Sequence, residues 1–265
     1  MEIIDKKKCC IVLIVYKHLS QYDENEQQAF FNLLQVFFNR DFYIVCPRPL
    51  VEEYAQYAPC VALEVNSLSY ADYNILCKSV GFYQTFLDLG YRYMCLVQLD
   101  VWTFFDNLNY FLNEFDEKSY DYIGAPWYGV HFCKDGTVGN GGFCIRRLET
   151  FRNICRDYPL RGGNEDVFFL QEHGDKIKVA STGLALEFSW EEKPYFAYRL
   201  MNCKLPQGCH AYASTPDRIG FWKHFIPGIK EIRCKAGRID IYDNPEYEKK
   251  FRNEEILGIC PHLHS

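Results

Sequence analysis

Four short stretches of this sequence could do chemistry. QLDVW sets one carboxylate, Asp100, at the end of an apolar run. A charge there is costly unless it is solvated, paired or bound to a cation. GNGGF, Gly139–Phe143, gives up three side chains in its first four positions. Backbone does this where it must turn sharply, take positive φ or lie against a ligand. NEDVF puts Glu165 beside Asp166, and either could take a proton from an attacking hydroxyl as a general base. GCHAY holds His210 in a loop of small residues. One carboxylate and one imidazole suit Mn2+ or Mg2+ when a substrate's phosphates and waters complete the shell. Each stretch also has a plainer reading. Asp100 could cap the next element, the glycines could form a turn, and a helix start favours acids through its dipole. A single histidine is more often a surface or satisfied residue.

These residues need a frame. CCIVLIVYK (Cys9–Lys17), DFYIVCP (Asp41–Pro47), CVALEV (Cys60–Val65) and YMCLVQLDVW (Tyr93–Trp102) read as strands, apolar throughout. Helical patterns fall at about Asn25–Phe38, with Phe30, Leu33, Leu34, Phe37 and Phe38 on one face, and at Tyr70–Leu89, with Gly90 as the stop. The order β-α-β-β-α-β with fully apolar strands predicts an α/β fold, with a mostly parallel central sheet flanked by helices. Ligands in such sheets sit at the carboxyl ends of strands, where Asp100 lies. Beyond it, YDYIGAPW reads as one short strand and GGFCIRR as another, followed by a helix over Glu149–Tyr158. NEDVFFLQEHG opens a helix with Asn164 near its N-cap, and FWKHFI reads as a closing helix. No linker, repeat or low-complexity segment appears. A single domain over 1–265 is expected, with a donor-binding half at about 8–102, a catalytic half at about 103–226 and a helical tail at 227–265.

Composition narrows the function. The chain has 265 residues, 48% of them hydrophobic, a net charge of −6 and a pI near 5.7. That predicts a globular chain with no basic surplus for a phosphate backbone, so nucleic acid is excluded as a partner. Thirteen scattered cysteines without a CxxC pair fit reduced thiols and a cytoplasmic setting rather than a disulfide framework. The apolar run Cys9–Tyr16 is eight residues long, too short to span a bilayer.

The order of these features resembles that of GT-A glycosyltransferases: a strand-end Asp, a glycine loop, an ED pair, a late His. YDYIGAPW, GNGGF, NEDVFF and GCHA look like the motif series of a family of mostly bacterial GT-A-like proteins found with surface-polysaccharide functions. IVYKHLSQYDE and IVCP are similar to that family's N-terminal half, so the resemblance covers roughly residues 8–226. It implies that Asp100 is the metal-holding acid of the DxD motif and that His210 completes the metal site. It implies that Asp166 is the catalytic base of an inverting enzyme, and that Gly141 and Gly142 line the donor sugar and acceptor. Glu165 would bond the acceptor or fix the loop. The ED-V form is also similar to β1,3-glycosyltransferases of the fringe type. One position departs from the pattern: Gln98 replaces the first acid of DxD. Its amide can still bond ribose hydroxyls, and a site with one carboxylate would hold metal weakly.

Further candidates follow from strand ends. Tyr16 and Lys17 close the first strand, where a nucleotide base and diphosphate would lie. Trp102 and Trp127 could stack on acceptor sugars or simply pack. One of Arg146 and Arg147 should point inward, toward phosphate or into a salt bridge. Lys223–Arg238 reads as a solvated basic face or a contact with anionic lipid, and PHLHS as a frayed tail. The expected activity is metal-assisted, inverting transfer from a nucleotide sugar, UDP-linked by preference, to a glycan acceptor. The acceptor could be lipid-linked at the inner membrane face. A non-catalytic binding module on the same fold and a retaining transferase are the competing readings.

Overall fold

In chain order the elements begin with β1 (Cys9–Ile14), α1 (Glu24–Val36), β2 (Phe42–Pro47), α2 (Val51–Tyr54) and β3 (Cys60–Leu63). Next come α3 (Tyr70–Cys77), α4 (Val80–Asp88), β4 (Tyr93–Val97), β5 (Val101–Thr103), α5 (Leu108–Lys118), β6 (Tyr122–Ile123), β7 (Pro126–Trp127), β8 (Thr137–Val138) and β9 (Phe143–Arg147). The rest are α6 (Leu148–Asp157), α7 (Glu165–Val167), α8 (Thr182–Phe188), β10 (Ser189–Trp190), α9 (Pro194–Leu200), β11 (Gly208–His210) and α10 (Pro216–Trp222). This computed structural model describes residues 8–130, 133–159 and 163–230. Most of the expected helical tail, the basic face beyond Lys230 and PHLHS lie outside the described residues.

The central sheet has six strands in the order β3-β2-β1-β4-β9-β6. β3, β2, β1 and β4 pair in parallel, and β9 is antiparallel to both β4 and β6. This is the expected α/β architecture. β1 and β4 are buried at every position, so helices must cover both faces, which is why these strands read as unbroken apolar runs. A second sheet, β10-β11-β5, stands beside the first, and β7 and β8 form a two-stranded ribbon.

Local chemistry explains where the sequence pattern and the fold part. Asp23 caps α1 by accepting from the Glu26 amide, and Ala29, Phe30 and Leu33 are buried. The helix ends at Val36, so Phe37 turns inward and Phe38 outward. Tyr70–Leu89 is two helices, not one. Ser79 accepts from the Phe82 amide and starts α4 afresh, because a serine hydroxyl satisfies orphan donors better at an N-cap than inside a helix. Gly90 takes φ +90° after α4, the stop its lack of Cβ permits. YDYIGAPW contributes two strands to two sheets: β6 joins the central sheet and β7 pairs with β8.

Candidate active site

β4 ends at Val97, and the Val101 amide bonds back to the Gln98 carbonyl at 3.2 Å. That turn carries Gln98, Leu99 and Asp100. β5 then runs antiparallel to β11 with Val101 opposite His210. His210 is therefore the last residue of a strand rather than part of a loop, and the register sets it beside Asp100. Its Nε2 lies 3.2 Å from Asp100 Oδ1 and 3.1 Å from Gln98 Oε1. The Asp100 side chain is 44% exposed, whereas His210 is buried at 8%.

Two residues of this cluster carry no sequence motif. β10 pairs with β11 with Trp190 opposite Cys209, so the chain leaves β10 with Glu191 alongside His210. Glu191 Oε1 is 3.4 Å from Nδ1, the opposite edge of the ring. Arg218, on α10, sits 3.6 Å from the same oxygen and bonds Glu192 at 2.6 Å. Asn140 Nδ2 also donates to Glu191, and Asn140 Oδ1 accepts from the Gly142 amide at 3.0 Å. Two adjacent acids after a two-residue strand, in SWEE, are the only sequence trace of Glu191; the neighbour relation comes from topology.

The electrostatics follow from this packing. Burial works against a charged His210, but the carboxylates of Asp100 and Glu191 outweigh it and raise its pKa to about 10. Burial likewise opposes ionisation of Asp100 and Glu191, and the imidazolium between them holds both below the usual carboxylate range.

The glycines of GNGGF answer to these neighbours. Gly139, Gly141 and Gly142 are absent from the positive-φ residues, so no left-handed turn demands them. Close approach does. A Cβ on Gly142 would overlap the His210 ring, one on Gly141 would overlap Glu165 Oε1, and one on Gly139 would overlap the Trp127 indole. The space at these Cβ positions is taken up by the side chains of His210, Glu165 and Trp127. Because Gly141 and Gly142 are consecutive, the same stretch brings the ED pair and the histidine cluster together.

Glu165 and Asp166 differ sharply. Glu165 is buried, and its Oε2 accepts from Arg146 Nη2 at 2.7 Å. Arg146, itself buried on β9, also donates to the Tyr83 hydroxyl at 2.9 Å and lies under the rings of Phe151 and Phe169. The inward arginine thus forms a salt bridge, while Arg147 pairs with Asp121 at 2.8 Å. Asp166 is only partly buried and accepts from the Val167 amide at 2.8 Å. Burial, and then the charge of Glu165, push its pKa up to about 7, with Glu191 adding to the rise. A carboxyl poised there can accept a proton near neutrality.

The remaining candidates are placed as follows. Tyr16 is 43% exposed just past β1, edge-on to Tyr22, and the charge of Asp100 contributes to raising its pKa after burial and Glu26. Lys17 lies 4.2 Å from the Tyr22 ring centroid and 3.7 Å from Glu26. Trp102, half-buried on β5, meets Tyr212 edge-on, and Trp127 is 4% exposed, a packing position against Gly139. The closing helix lies earlier than FWKHFI: α10 ends at Trp222, buries Phe221 and Trp222, and the chain turns from Lys223 onward. Among the described residues no three His, Cys, Asp or Glu side chains form a metal-holding group. Asp100 Oδ1, Gln98 Oε1 and His210 Nε2 do meet at 3.1–3.2 Å. Adjacent ligands of a near-octahedral ion at about 2.1 Å stand about 3.0 Å apart. His210 Nε2 is thus spaced from each of the two oxygens as neighbouring ligands of a Mg2+ or Mn2+ shell are, provided His210 gives up its Nε2 proton and a substrate's oxygens supply the rest.

Comparison with known proteins adds the following. A family model described as "Protein of unknown function (DUF5672)" matches residues 61–210, more than half of the chain, from β3 to His210. No curated protein sequence matches. Mouse xyloside xylosyltransferase 1 has 12% identity and a TM-score of 0.48 over 78% of this chain and 99% of its own. A candidate nucleotide-diphospho-sugar transferase from Desulfovibrio desulfuricans G20 has 17% identity and a TM-score of 0.43, over 64% and 78%. S. aureus TarS 1-349, solved with UDP-GlcNAc, has 15% identity and a TM-score of 0.40, over 66% of this chain and 56% of that one. The chain thus spans little more than half of the TarS structure. Among the described residues no helix is long and apolar enough to cross a membrane.

Proposed function

We propose that this chain, which belongs to the family described as protein of unknown function (DUF5672), is an inverting glycosyltransferase of the GT-A type. In this reading it moves a sugar from a nucleotide-sugar donor, UDP-linked by preference, to a glycan hydroxyl. The observation that carries the reading is Asp166, a partly buried carboxyl with its pKa raised to about 7. The Gly141–Gly142 backbone connects it to the Asp100–His210–Glu191 cluster at the strand ends.

Asp166 takes the proton of the acceptor hydroxyl as that oxygen attacks the anomeric carbon. The bond from that carbon to the phosphate oxygen breaks, its electron pair leaves with the nucleoside diphosphate, and the configuration inverts. Base assistance of this kind is typically worth ~10²–10⁴-fold. Glu165 is assigned a positioning role, because its carboxylate is bound to Arg146. Asp100, His210 and the Gln98 amide are the residues suited to hold Mg2+ or Mn2+, and such an ion, when bound, neutralises charge on the diphosphate. Glu191 stands 3.4 Å from Nδ1, which makes no hydrogen bond, and is assigned the part of orienting the His210 ring by its charge, in the place carboxylates take behind metal-bound histidines. The backbone of Gly141 and Gly142 and the exposed ring of Tyr16 are proposed to border the donor.

The test is transfer from nucleotide sugars by purified protein and by Asp166→Asn, followed across pH. The expected rate rises with pH as a group near 7 loses its proton, and the variant loses ~10²-fold or more. A variant as active as the parent would sink the assignment of the base.

A further inference from the structure

Glu165 and Asp166 follow a glycine at φ +94°, Gly163, and open a short helical run in which α7 passes directly into a π-helical turn over Phe168–Glu172. The start of that run is held from outside. Asn164, its N-cap, makes no side-chain cap bond. Besides the Arg146–Glu165 pair, one face of α3 and its cap grip this segment. The Tyr70 hydroxyl donates to Asn164 Oδ1 at 3.1 Å. Asn74 Oδ1 accepts from the Glu165 amide at 2.9 Å. Lys78 Nζ donates to the Gly163 carbonyl at 2.7 Å and stands 5.7 Å from the Phe168 ring centroid. Positions 70, 74 and 78 recur every four residues and share a helix face. The bonds they make fall on three consecutive residues.

Asn74 and Lys78 are both buried. Burying an ammonium is costly unless its donors are used, and an apolar side chain would pack there without that cost. The helix also reaches the other half of the site, since Gln98 Nε2 donates to the Tyr73 hydroxyl at 2.7 Å.

We infer that Tyr70, Asn74 and Lys78 are positioning residues, a clamp that fixes the Gly163–Glu165 segment and so sets where Asp166 points. The inference rests on the reading of Asp166 as the base. The test is amide hydrogen exchange by mass spectrometry on the purified 265-residue chain, with no ligand added. Lys78→Met is expected to speed exchange in the 163–168 segment about tenfold, as loss of a buried hydrogen bond does. Strands β1 and β4 should keep their protection, and Lys78→Arg should restore most of it at 163–168. Tyr70→Phe, at an exposed position, should produce a smaller increase confined to the same segment and serves if Lys78→Met does not fold.

In transfer assays with a UDP-sugar, Lys78→Met should lower kcat by about 10²-fold, the cost of a misplaced group, and leave KM for the donor unchanged. Unaltered exchange at 163–168 in the folded variants, or an equal rise across the whole sheet, would overturn the clamp. Exchange is read without substrate, so a clamp that holds while Asp166→Asn stays fully active would contradict the base assignment alone.

Discussion

A Cβ added to Gly142 would overlap the His210 ring. This contact ties the glycine loop to the strand-end cluster, and it makes the glycine a packing requirement of the chain itself. Gly142→Ala must move the imidazole away from Asp100 and Glu191, with an overpacking cost of about 1–3 kcal/mol. The control is Gly183→Ala in α8, where a Cβ meets nothing within 4 Å, and stability should rise by about 0.4–1 kcal/mol. Urea unfolding of the two variants checks both signs.

The Arg146–Glu165 pair makes a second prediction. Both side chains are almost fully buried and bonded at 2.7 Å. Arg146→Met leaves the Glu165 carboxylate uncompensated and should cost about 3–5 kcal/mol. Adding Glu165→Leu should recover much of that loss, because an apolar pair carries no desolvation penalty. A double variant no more stable than the single one would contradict this account.

Much of this arrangement was legible in the residues. Strand-like runs gave the sheet, since β1 and β4 are buried at every position and are apolar for that reason. Asp100, the ED pair and His210 stood out by residue type and order. Glu191 and Arg218 did not, because they join His210 only through the β10–β11 pairing and the fold of α10. Some calls changed for local reasons: the serine cap at Ser79 splits one expected helix, YDYIGAPW gives two short strands to two sheets, and His210 lies on a paired strand.

Asp166 predicts a pH dependence of stability. Its folded pKa of about 7 lies above the ordinary aspartate value of 3.8. The folded state therefore holds the proton more tightly than the unfolded chain, and stability falls as pH rises from about 4 to 7. Asp166→Asn removes that loss. Above pH 7 the variant should be more stable than the parent by about 1–3 kcal/mol, allowing for partial exposure, and near pH 4 the difference should vanish. Equal melting temperatures across this window would mean that the carboxyl is not strained by its surroundings.

The central claim is that the strand-end cluster binds a nucleotide sugar. The most direct measurement is the thermal shift of the purified protein with UDP, GDP, CMP and dTDP, each with and without Mn2+, beside Asp100→Ala. A ligand that binds only the native state adds ~2.7 kcal/mol at a hundred times Kd. The account predicts that one nucleotide stabilises the parent, more strongly with Mn2+, and that Asp100→Ala removes the response. No shift with any nucleotide, with or without the ion, would contradict it.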